Sequence, residues 1–159
     1  MHELKRRMLK LLEQEFIGWK YPRDWIVHGH SCYFFSPDIK SWTNSLAACG
    51  EIGGNLVEVN DVTENNFLLS KILPYNTEHW IGLTDKEGND TYVWISSGQI
   101  PTFTFWVDHE PSHQWKMPEN VFVENCVFYS NKDNDYMWND YSCEAERHYI
   151  CERTLTVDE

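Results

Sequence analysis

The cysteines restrict this chain more than any other feature of its sequence. The 159 residues contain five of them, at Cys32, Cys49, Cys126, Cys143 and Cys151. No Cys-x-x-Cys pair occurs, so neither a zinc ribbon nor a thioredoxin motif is available. Two disulfides and one additional thiol are the simplest arrangement, and disulfides form in oxidising compartments. The sequence therefore predicts one secreted, extracellular domain that is tied together by disulfides.

The composition indicates a globular domain and argues against two kinds of partner. Hydrophobic residues make up 42% of the chain and aromatic residues 15%, which favours a compact domain with short strands. No apolar run has the length of a membrane span, and we expect no secretory signal in the charged N-terminus. The net charge is −12; residues 1–23 carry six Lys/Arg against three Glu, so the remainder carries −15. Such an acidic body repels phosphate backbones, and we expect no nucleic-acid binding.

The N-terminal segment, residues 1–20, has the hydrophobic spacing of an amphipathic helix. Its apolar residues recur one helical turn apart, at Leu4, Met8, Leu11, Leu12 and Phe16. The segment covers about two heptads, which are too few to establish a coiled coil. It is either an exposed leader helix or a neck through which the chain self-associates.

The rest of the chain predicts two early helices among short strands. Residues 25–27 and 31–35 predict a hairpin. Ser41 is expected to cap a first helix that ends before Gly53, and Thr63 a second helix that Pro74 closes. Further strands are expected where β-branched and aromatic residues cluster, at residues 55–59, 79–84, 92–95, 125–129 and 148–152. This order predicts an α+β domain with antiparallel strands over residues 21–153, followed by a tail at 154–159.

Residues 109–113, His-Glu-Pro-Ser-His, match the zinc-protease motif H-E-x-x-H. That motif binds zinc only on a helix, where two histidines one turn apart face the same ion. Pro111 disfavours helical geometry at Glu110, and no amphipathic pattern surrounds the motif. We therefore assign His109 and His113 to a loop. No nucleophile, base and orienting group can be argued together elsewhere, so we expect no enzyme.

The same stretch contains the first two of several side chains that could bind a metal ion through oxygen. A cis peptide bond at Glu110–Pro111 would turn the side chains of Glu110 and Ser112 to the same side. Glu124 lies two residues before Cys126, and Asn139 and Asp140 lie shortly before Cys143. Carboxylate, amide and hydroxyl oxygens are the ligands that calcium prefers. The candidate calcium ligands are Glu110, Ser112, Glu124, Asn139 and Asp140.

Six motifs in this order resemble the C-type lectin-like domain, and together they cover residues 21–152. They are Tyr21-Pro22-x-x-Trp25 with Gly-x-Ser-Cys-Tyr at 29–33, residues 41–49 with Gly-Gly-Asn-Leu, Trp80-Ile81-Gly82-Leu83, Glu110-Pro111-Ser112, Trp138-Asn139-Asp140, and the closing pattern at 143–152. The resemblance implies the C-type lectin-like fold, in which two helices accompany short antiparallel sheets and a long calcium- and sugar-binding loop region. We expect Trp80, Gly82, Leu83, Trp94 and Trp138 in its core.

The resemblance also implies the disulfide pairing, Cys49–Cys151 and Cys126–Cys143. Long forms of the domain have another pair in the N-terminal hairpin, and Cys32 matches its second member. Tyr21 stands where the first member would be, so Cys32 is expected in neither disulfide. Its thiol is either a small buried hydrophobic group or the site of an intermolecular disulfide.

In calcium-dependent members of this family the ion joins protein and sugar, and two sugar hydroxyls complete its coordination. The resemblance implies that sugar is bound by Glu110, Ser112, Trp115, Glu124 and Asn139. Ser112 replaces the usual Asn or Asp, and its short hydroxyl either donates or accepts, which loosens the sugar preference. Trp115 either stacks on a galactose-type sugar or packs within its loop. The pattern leans slightly to galactose over mannose.

A second calcium site is common in the family, with Asp85 and Asn125 as the candidates here. We expect it to be weak or empty, since His113 stands where an acid belongs. Asn89-Asp90-Thr91 is an N-glycosylation sequon. The resemblance thus implies a secreted, calcium-dependent, glycan-binding lectin. Homo-oligomers would form through the N-terminal helix if it is a neck, or through Cys32 if its disulfide is intermolecular. Two alternatives stay open: a calcium-independent protein-binding domain, and an acidic protein that binds mineral or matrix.

Overall fold

The computed structural model of the protein describes residues 4–6, 24–85, 88, 90–108, 110–111, 125–131 and 135–155. Residues 4–6 are helical, in agreement with the start of the predicted N-terminal helix. The rest of that helix and the Tyr21-Pro22 motif lie outside the described residues, so the neck stays a prediction. No helix in the described part of the chain is long and apolar enough to cross a membrane.

The described elements form an α+β fold, as predicted. In chain order they are β1 Trp25–His28, β2 Ser31–Phe35, α1 Trp42–Glu51, β3 Asn55–Leu56, α2 Val62–Ile72, a 3-10 helix Leu73–Tyr75, β4 His79–Asp85, β5 Val93–Trp94, β6 Asn125–Ser130, β7 Met137–Ser142 and β8 His148–Thr154. The sequence does not predict β7, because Asn139 and Asp140 at its centre are residue types that strands disfavour.

The strands form a sheet with the order β1-β2-β8-β4-β6-β7, while β3 pairs with β8 and β5 pairs with β4. The expectation of antiparallel strands is wrong for one pair, because β4 and β8 run parallel. Parallel neighbours need a long connection, and the chain between these two strands provides one. The parallel pair lies at the centre of the sheet and therefore joins its two halves.

Helix α1 begins as predicted, because Ser41 Oγ accepts a hydrogen bond from the backbone N–H of Asn44 at 3.2 Å. The predicted cap of α2 is wrong. Asp61 caps that helix, since its Oδ1 accepts from the Glu64 N–H at 2.8 Å, and Thr63 lies inside the first turn. The carboxylate of Glu64 accepts in turn from the Asn60 N–H at 2.8 Å, so the first turn is closed from both sides.

Both implied disulfides are present and lie in the core. Cys49–Cys151 joins α1 to β8 over a sequence separation of 102 residues, and Cys126–Cys143 spans 17. In the chain-entropy description such loops contribute roughly 4.7 and 3 kcal/mol. Cys32 belongs to neither disulfide and its exposed fraction is 0%. This burial supports the interpretation of Cys32 as a small hydrophobic group.

The buried hydrophobic residues form two clusters, both rich in aromatic side chains. One surrounds the disulfides and contains Trp25, Phe34, Trp42, Trp80, Phe128 and Tyr149. The other lies towards the 90–110 segment and contains Leu83, Trp94, Tyr129 and Trp138. The predicted core positions Trp80, Leu83, Trp94 and Trp138 have exposed fractions of 1% or less, which confirms their assignment.

Gly82, at the centre of β4, allows two segments of backbone to approach closely. Its N–H donates to Val57 O at 2.9 Å. A Cβ atom at this position would lie 2.8 Å from Leu56 O and 3.1 Å from Val57 O. Both obstacles are backbone atoms, so the conflict cannot be relieved by a side-chain rotation. A side chain at position 82 is therefore incompatible with the spacing of β3 and β4.

We expect Gly82→Ala to lower the free energy of unfolding by about 2 kcal/mol or more, because the backbone must shift to admit the methyl group. Gly50→Ala is the matched control. Gly50 lies in α1 with nothing within 4 Å of an added Cβ, so alanine there is expected to stabilise the helix by up to about 1 kcal/mol. Urea denaturation of both variants measures the difference. Equal stability of the two variants would contradict the steric account of Gly82.

Two ionisable side chains near the sheet's centre, the buried His79 and the half-buried Glu152, respond to pH in opposite directions. Burial, and next the charge of Glu64, raise the pKa of Glu152 from 4.5 to about 7. Burial, and next the neighbouring His148, lower the pKa of His79 from 6.5 to about 4. Glu152 therefore removes stability as the pH rises from 4.5 to 7. His79 removes stability as the pH falls from 6.5 to 4.

We expect His79→Gln to lose less stability than the native protein on acidification from pH 7 to pH 5, by about 2 kcal/mol at 1.36 kcal/mol per pKa unit. Glu152→Gln is expected to change the curve by a similar amount in the opposite direction. Urea denaturation in EDTA across this range provides the measurement, with His30→Gln, at an exposed position, as control. Parallel stability curves for the native protein and His79→Gln would rule out a depressed pKa at His79.

Candidate functional site

The segment at residues 105–110 runs beside the edge strand β7. The Trp138 N–H donates to Phe105 O at 2.7 Å, and the Val107 N–H donates to Trp138 O at 2.9 Å. The Glu110 N–H then donates to Val107 O at 2.9 Å, which closes a turn. These bonds bring Glu110 to the edge of the sheet where β7 continues into Asn139 and Asp140.

Aromatic rings that pack edge to face hold this segment in place. The Trp106 ring packs edge-on against Trp138, with ring centroids 5.7 Å apart, and against Tyr92 at 5.2 Å. Trp138 in turn contacts Trp94 at 5.6 Å. Such edge-to-face pairs each contribute about 0.5–1.5 kcal/mol beyond the area that they bury. Trp138 therefore acts as packing beneath the site, as expected from the sequence.

Asp140 is fixed by a hydrogen bond from a buried tyrosine. The Tyr92 hydroxyl donates to Asp140 Oδ2 at 2.7 Å, and their exposed fractions are 7% and 3%. Burial raises the pKa of Tyr92 far above its usual value, and the bond to Asp140 adds to this rise. The hydroxyl therefore keeps its proton and remains a donor. It also orients the Asp140 carboxylate from one side.

Two further carboxylates lie near the same hydroxyl. The charges of Asp85 and Glu110 also contribute to the raised pKa of Tyr92, which requires both groups to be close to it in space. Like charges that are gathered at a partly buried place repel each other and favour binding of a cation. This concentration of negative charge is the electrostatic feature of the site.

Asp85 and Asn125 extend the set of oxygen donors on one face of the sheet. They are register partners on β4 and β6, and their exposed fractions are 1% and 2%. Asp140 pairs with Val127, two residues from Asn125, so all three side chains leave the same face. The Oδ1 atom of Asn125 is buried, and no hydrogen-bond donor lies on it among the described residues. Buried polar atoms almost always have a partner, so we expect an ion or a water molecule to bind this oxygen.

Asn139 leaves the opposite face of β7 from Asp140. It pairs with Phe128 and is half-buried, and neighbouring strand residues point to opposite faces. The two side chains can therefore reach a common ion only beside the strand's open edge. Glu110 is brought to that edge by the turn at residues 107–110.

Of the five candidate calcium ligands the structure describes Glu110, which ends the segment that runs beside β7, and Asn139 and Asp140, which lie within β7. Ser112, Trp115 and Glu124 lie outside the described residues, as do His109, His113 and Asn89, so their roles stay predictions. Within the described ranges, no group of three or more His, Cys, Asp or Glu side chains has a metal-binding arrangement. The Glu110–Pro111 peptide bond is cis, as the sequence suggested, and neither residue is helical.

Tyr92 is the site residue that sequence reasoning misses. The sequence places it in a short strand, and nothing in its neighbours indicates a partner in β7. Only strand alternation gives a partial signal, since Tyr92 and the buried Trp94 are two residues apart and share a face. The contact with Asp140 depends on tertiary structure alone.

We expect Tyr92→Phe to lower the free energy of unfolding in EDTA by about 1–3 kcal/mol, because a buried carboxylate loses its donor. Tyr75→Phe is the matched control, since Tyr75 is 76% exposed. Urea denaturation at pH 7 compares the two variants. Indistinguishable stability would show that the Tyr92 hydroxyl does not support Asp140.

Comparison with known proteins agrees with this geometry. Residues 38–153 match the family model of the lectin C-type domain. C-type lectin domain family 6 member A of Homo sapiens is 34% identical over 132 residues, which cover 82% of this chain and 59% of that protein. Other curated relatives are longer, and the chain spans as little as 28% of their length.

Solved structures share the fold closely. The cow CD23 carbohydrate-recognition domain, solved in the presence of a GlcNAc2Man3 oligosaccharide, has a TM-score of 0.73 at 26% identity, covering 87% of this chain and 99% of that one. The C-type lectin domain of murine dendritic cell inhibitory receptor 2, in complex with N-glycan, has a TM-score of 0.72 at 28% identity, covering 84% and 98%. With most of its length matched by the family model, and with the fold and both disulfides in place, this chain belongs to the C-type lectin domain family.

Proposed function

We propose that this protein binds carbohydrate through a calcium ion at the edge of β7. The observation that carries the proposal is the arrangement of Glu110 beside Asn139 and Asp140, with a buried tyrosine hydroxyl orienting one of the carboxylates. Ser112 and Glu124 complete the proposed ligand set from the loop that follows Glu110. Two structural neighbours with the same fold were solved with oligosaccharide or N-glycan.

The donor set fits a hard cation. Carboxylate, amide and hydroxyl oxygens suit calcium, which takes six to eight oxygen ligands. When bound, calcium would offer open coordination positions to two neighbouring sugar hydroxyls. Around it, carboxylates such as Glu110 accept hydrogen bonds from those hydroxyls, and the Asn139 amide donates to them. Each sugar hydroxyl would thus be recognised both as donor and as acceptor.

The buried donors Asp85 and Asn125 are the candidates for a second, weaker cation position. The unsatisfied Asn125 Oδ1 supports the presence of a polar partner there. His113 takes the place of an acidic ligand, so we keep the expectation that calcium binds this position weakly or not at all.

The sugar preference depends on the loop after Glu110. We slightly favour a galactose-type ligand over a mannose-type one, because Trp115 is available to stack on the apolar face of galactose. The GlcNAc2Man3 oligosaccharide of the cow CD23 structure makes mannose-containing glycans the direct competitor. A glycan array separates the two classes.

The site supports binding rather than catalysis, since its carboxylates and amide suit an ion and a sugar and lack a nucleophile paired with a base. Two disulfides support an extracellular location.

Single sugar sites of this kind are weak because sugar hydroxyls must displace water from the ion. Association through the N-terminal segment would raise avidity, which is the role we propose for it.

We expect glycan-array binding in calcium and its loss in EGTA. Glu110→Gln and Asp140→Asn are expected to weaken calcium binding about tenfold or more in calorimetry, since each removes a charged ligand. Glu51→Gln, at the exposed end of α1, is the control and keeps native affinity. Acidification to about pH 4 should release ion and sugar together as the carboxylates protonate.

Sugar binding that persists unchanged in EGTA would refute the calcium-dependent mechanism. Calcium binding without any glycan signal would instead favour a protein ligand on the same surface. Binding to mineral that survives Glu124→Gln would favour the mineral or matrix alternative.

A further inference from the structure

Two histidines face each other at the start of the sheet's central parallel pair. His79 opens β4 and His148 opens β8, and the two are register partners. Side chains of directly paired residues leave the same face of a sheet. Their ring centroids are 5.3 Å apart, with the ring planes inclined by 31°. The imidazoles therefore lie side by side.

Backbone carbonyls set which nitrogen of each ring carries the proton. His148 Nδ1 lies 3.0 Å from Ser36 O, and His79 Nδ1 lies 3.3 Å from Thr77 O. A carbonyl oxygen only accepts, so each contact is a hydrogen bond only if Nδ1 carries the hydrogen. In the neutral ring, Nε2 then keeps its lone pair. No hydrogen bond to either Nε2 occurs among the described residues.

The two rings line one cleft. It has a volume of about 880 Å³ and is bordered also by Phe35, Ser36, Pro37, Tyr75 and Thr77. His79 is almost fully buried, with an exposed fraction of 4%, yet it faces this cleft. A small ion and its water ligands can therefore reach a nitrogen that is otherwise removed from solvent.

We propose that His79 and His148 jointly bind a borderline divalent cation, Zn²⁺ or Cu²⁺, through their two Nε2 atoms. Imidazole nitrogen is a preferred ligand of both ions, at about 2.0–2.1 Å for zinc. Two imidazoles that share a tetrahedral ion at that distance have centroids about 5 Å apart. The observed centroid separation of 5.3 Å matches this value.

The surroundings of the two rings are those of metal-binding histidines. Such histidines almost always donate their other ring N–H to a carbonyl or carboxylate, which fixes the ring and raises its basicity. Ser36 O and Thr77 O already fulfil this role.

The position has two protein ligands and open coordination sites. No third His, Cys, Asp or Glu side chain joins them within the described part of the chain. Lys71 and Asp24 border the same cleft and carry opposite charges, so they leave its net charge near zero. Water or a donor from another molecule would fill the remaining positions, as in other open transition-metal sites.

This position is distinct from the proposed calcium site. Asp85 lies at the far end of β4 from His79, about 20 Å away at 3.3 Å per residue. Calcium takes oxygen ligands, whereas zinc and copper favour imidazole nitrogen. Saturating calcium is therefore expected to leave the histidine site open, which allows the two sites to be tested separately.

The first test is zinc affinity, measured by competition with a chromophoric chelator in saturating calcium. We expect His79→Gln and His148→Gln each to weaken zinc binding about tenfold or more, since each leaves a single protein ligand. His30→Gln is the matched control, because His30 is exposed and lies outside the cleft. Equal zinc affinity in the native protein and in a folded His148→Gln variant would overturn the proposal.

The second test counts the nitrogen ligands directly. Electron paramagnetic resonance of bound Cu²⁺ is expected to show coupling to two imidazole nitrogens in the native protein and to one in each single variant. A loss of fold would not produce this stepwise change. Thermal unfolding identifies any variant that fails to fold, and the half-buried His148 is the safer of the two positions. Spectra with one nitrogen in all proteins would show that copper binds at other histidines.

Discussion

The close approach of Gly82 to the carbonyls of Leu56 and Val57 is the constraint on which the rest of the structure depends. It places β4 in the middle of the molecule, where all seven of its residues are buried. The neighbouring Ile81 O accepts from Trp42 Nε1 at 2.9 Å, so α1 is fixed to the same strand. Because β4 is held at its centre, both of its ends are fixed in space. Asp85, whose charge acts on Tyr92 in the proposed calcium site, lies at one end, and His79 of the histidine pair lies at the other.

Local signals in the sequence identify most of the elements, and their failures have physical causes. The hairpin and the cap of α1 follow from turn and capping residues that act within a few positions. The cap of α2 is misplaced because Asp61 and Thr63 are both good capping residues. The carboxylate of Glu64, which accepts from Asn60, closes the turn around Asp61 instead. The sequence does not predict β7, because Asn139 and Asp140 are candidate site residues of types that are uncommon in strands.

The candidate site is predictable only where it follows from a family pattern. Glu110, Asn139 and Asp140 belong to motifs that mark the family, and the structure places Glu110 at the end of a segment that runs beside β7, the strand that holds the other two. Tyr92 belongs to no motif that the sequence shows, although its hydroxyl is the buried donor to Asp140. The pair His79 and His148 is equally hidden, because it arises from a parallel register between strands that are far apart in sequence. The hydrophobic periodicity of a sequence predicts which face of a sheet a residue occupies, and it does not predict which strands pair with each other.

The proposed calcium site, on the side of the Asp85 end of β4, and the histidine site at the other end of that strand differ in the hardness of their donor atoms, and this difference lets them work independently. At the Asp85 end the donors are oxygens, several of them charged, and their mutual repulsion is relieved by a hard divalent cation. At the His79 end the donors are imidazole nitrogens, from which an ion that prefers oxygen ligands gains little. Each ion therefore disfavours the other's ligands. Sugar binding can depend on calcium while a transition metal occupies the opposite end of the strand, and the rigid strand between them keeps either ion from disturbing the other's geometry.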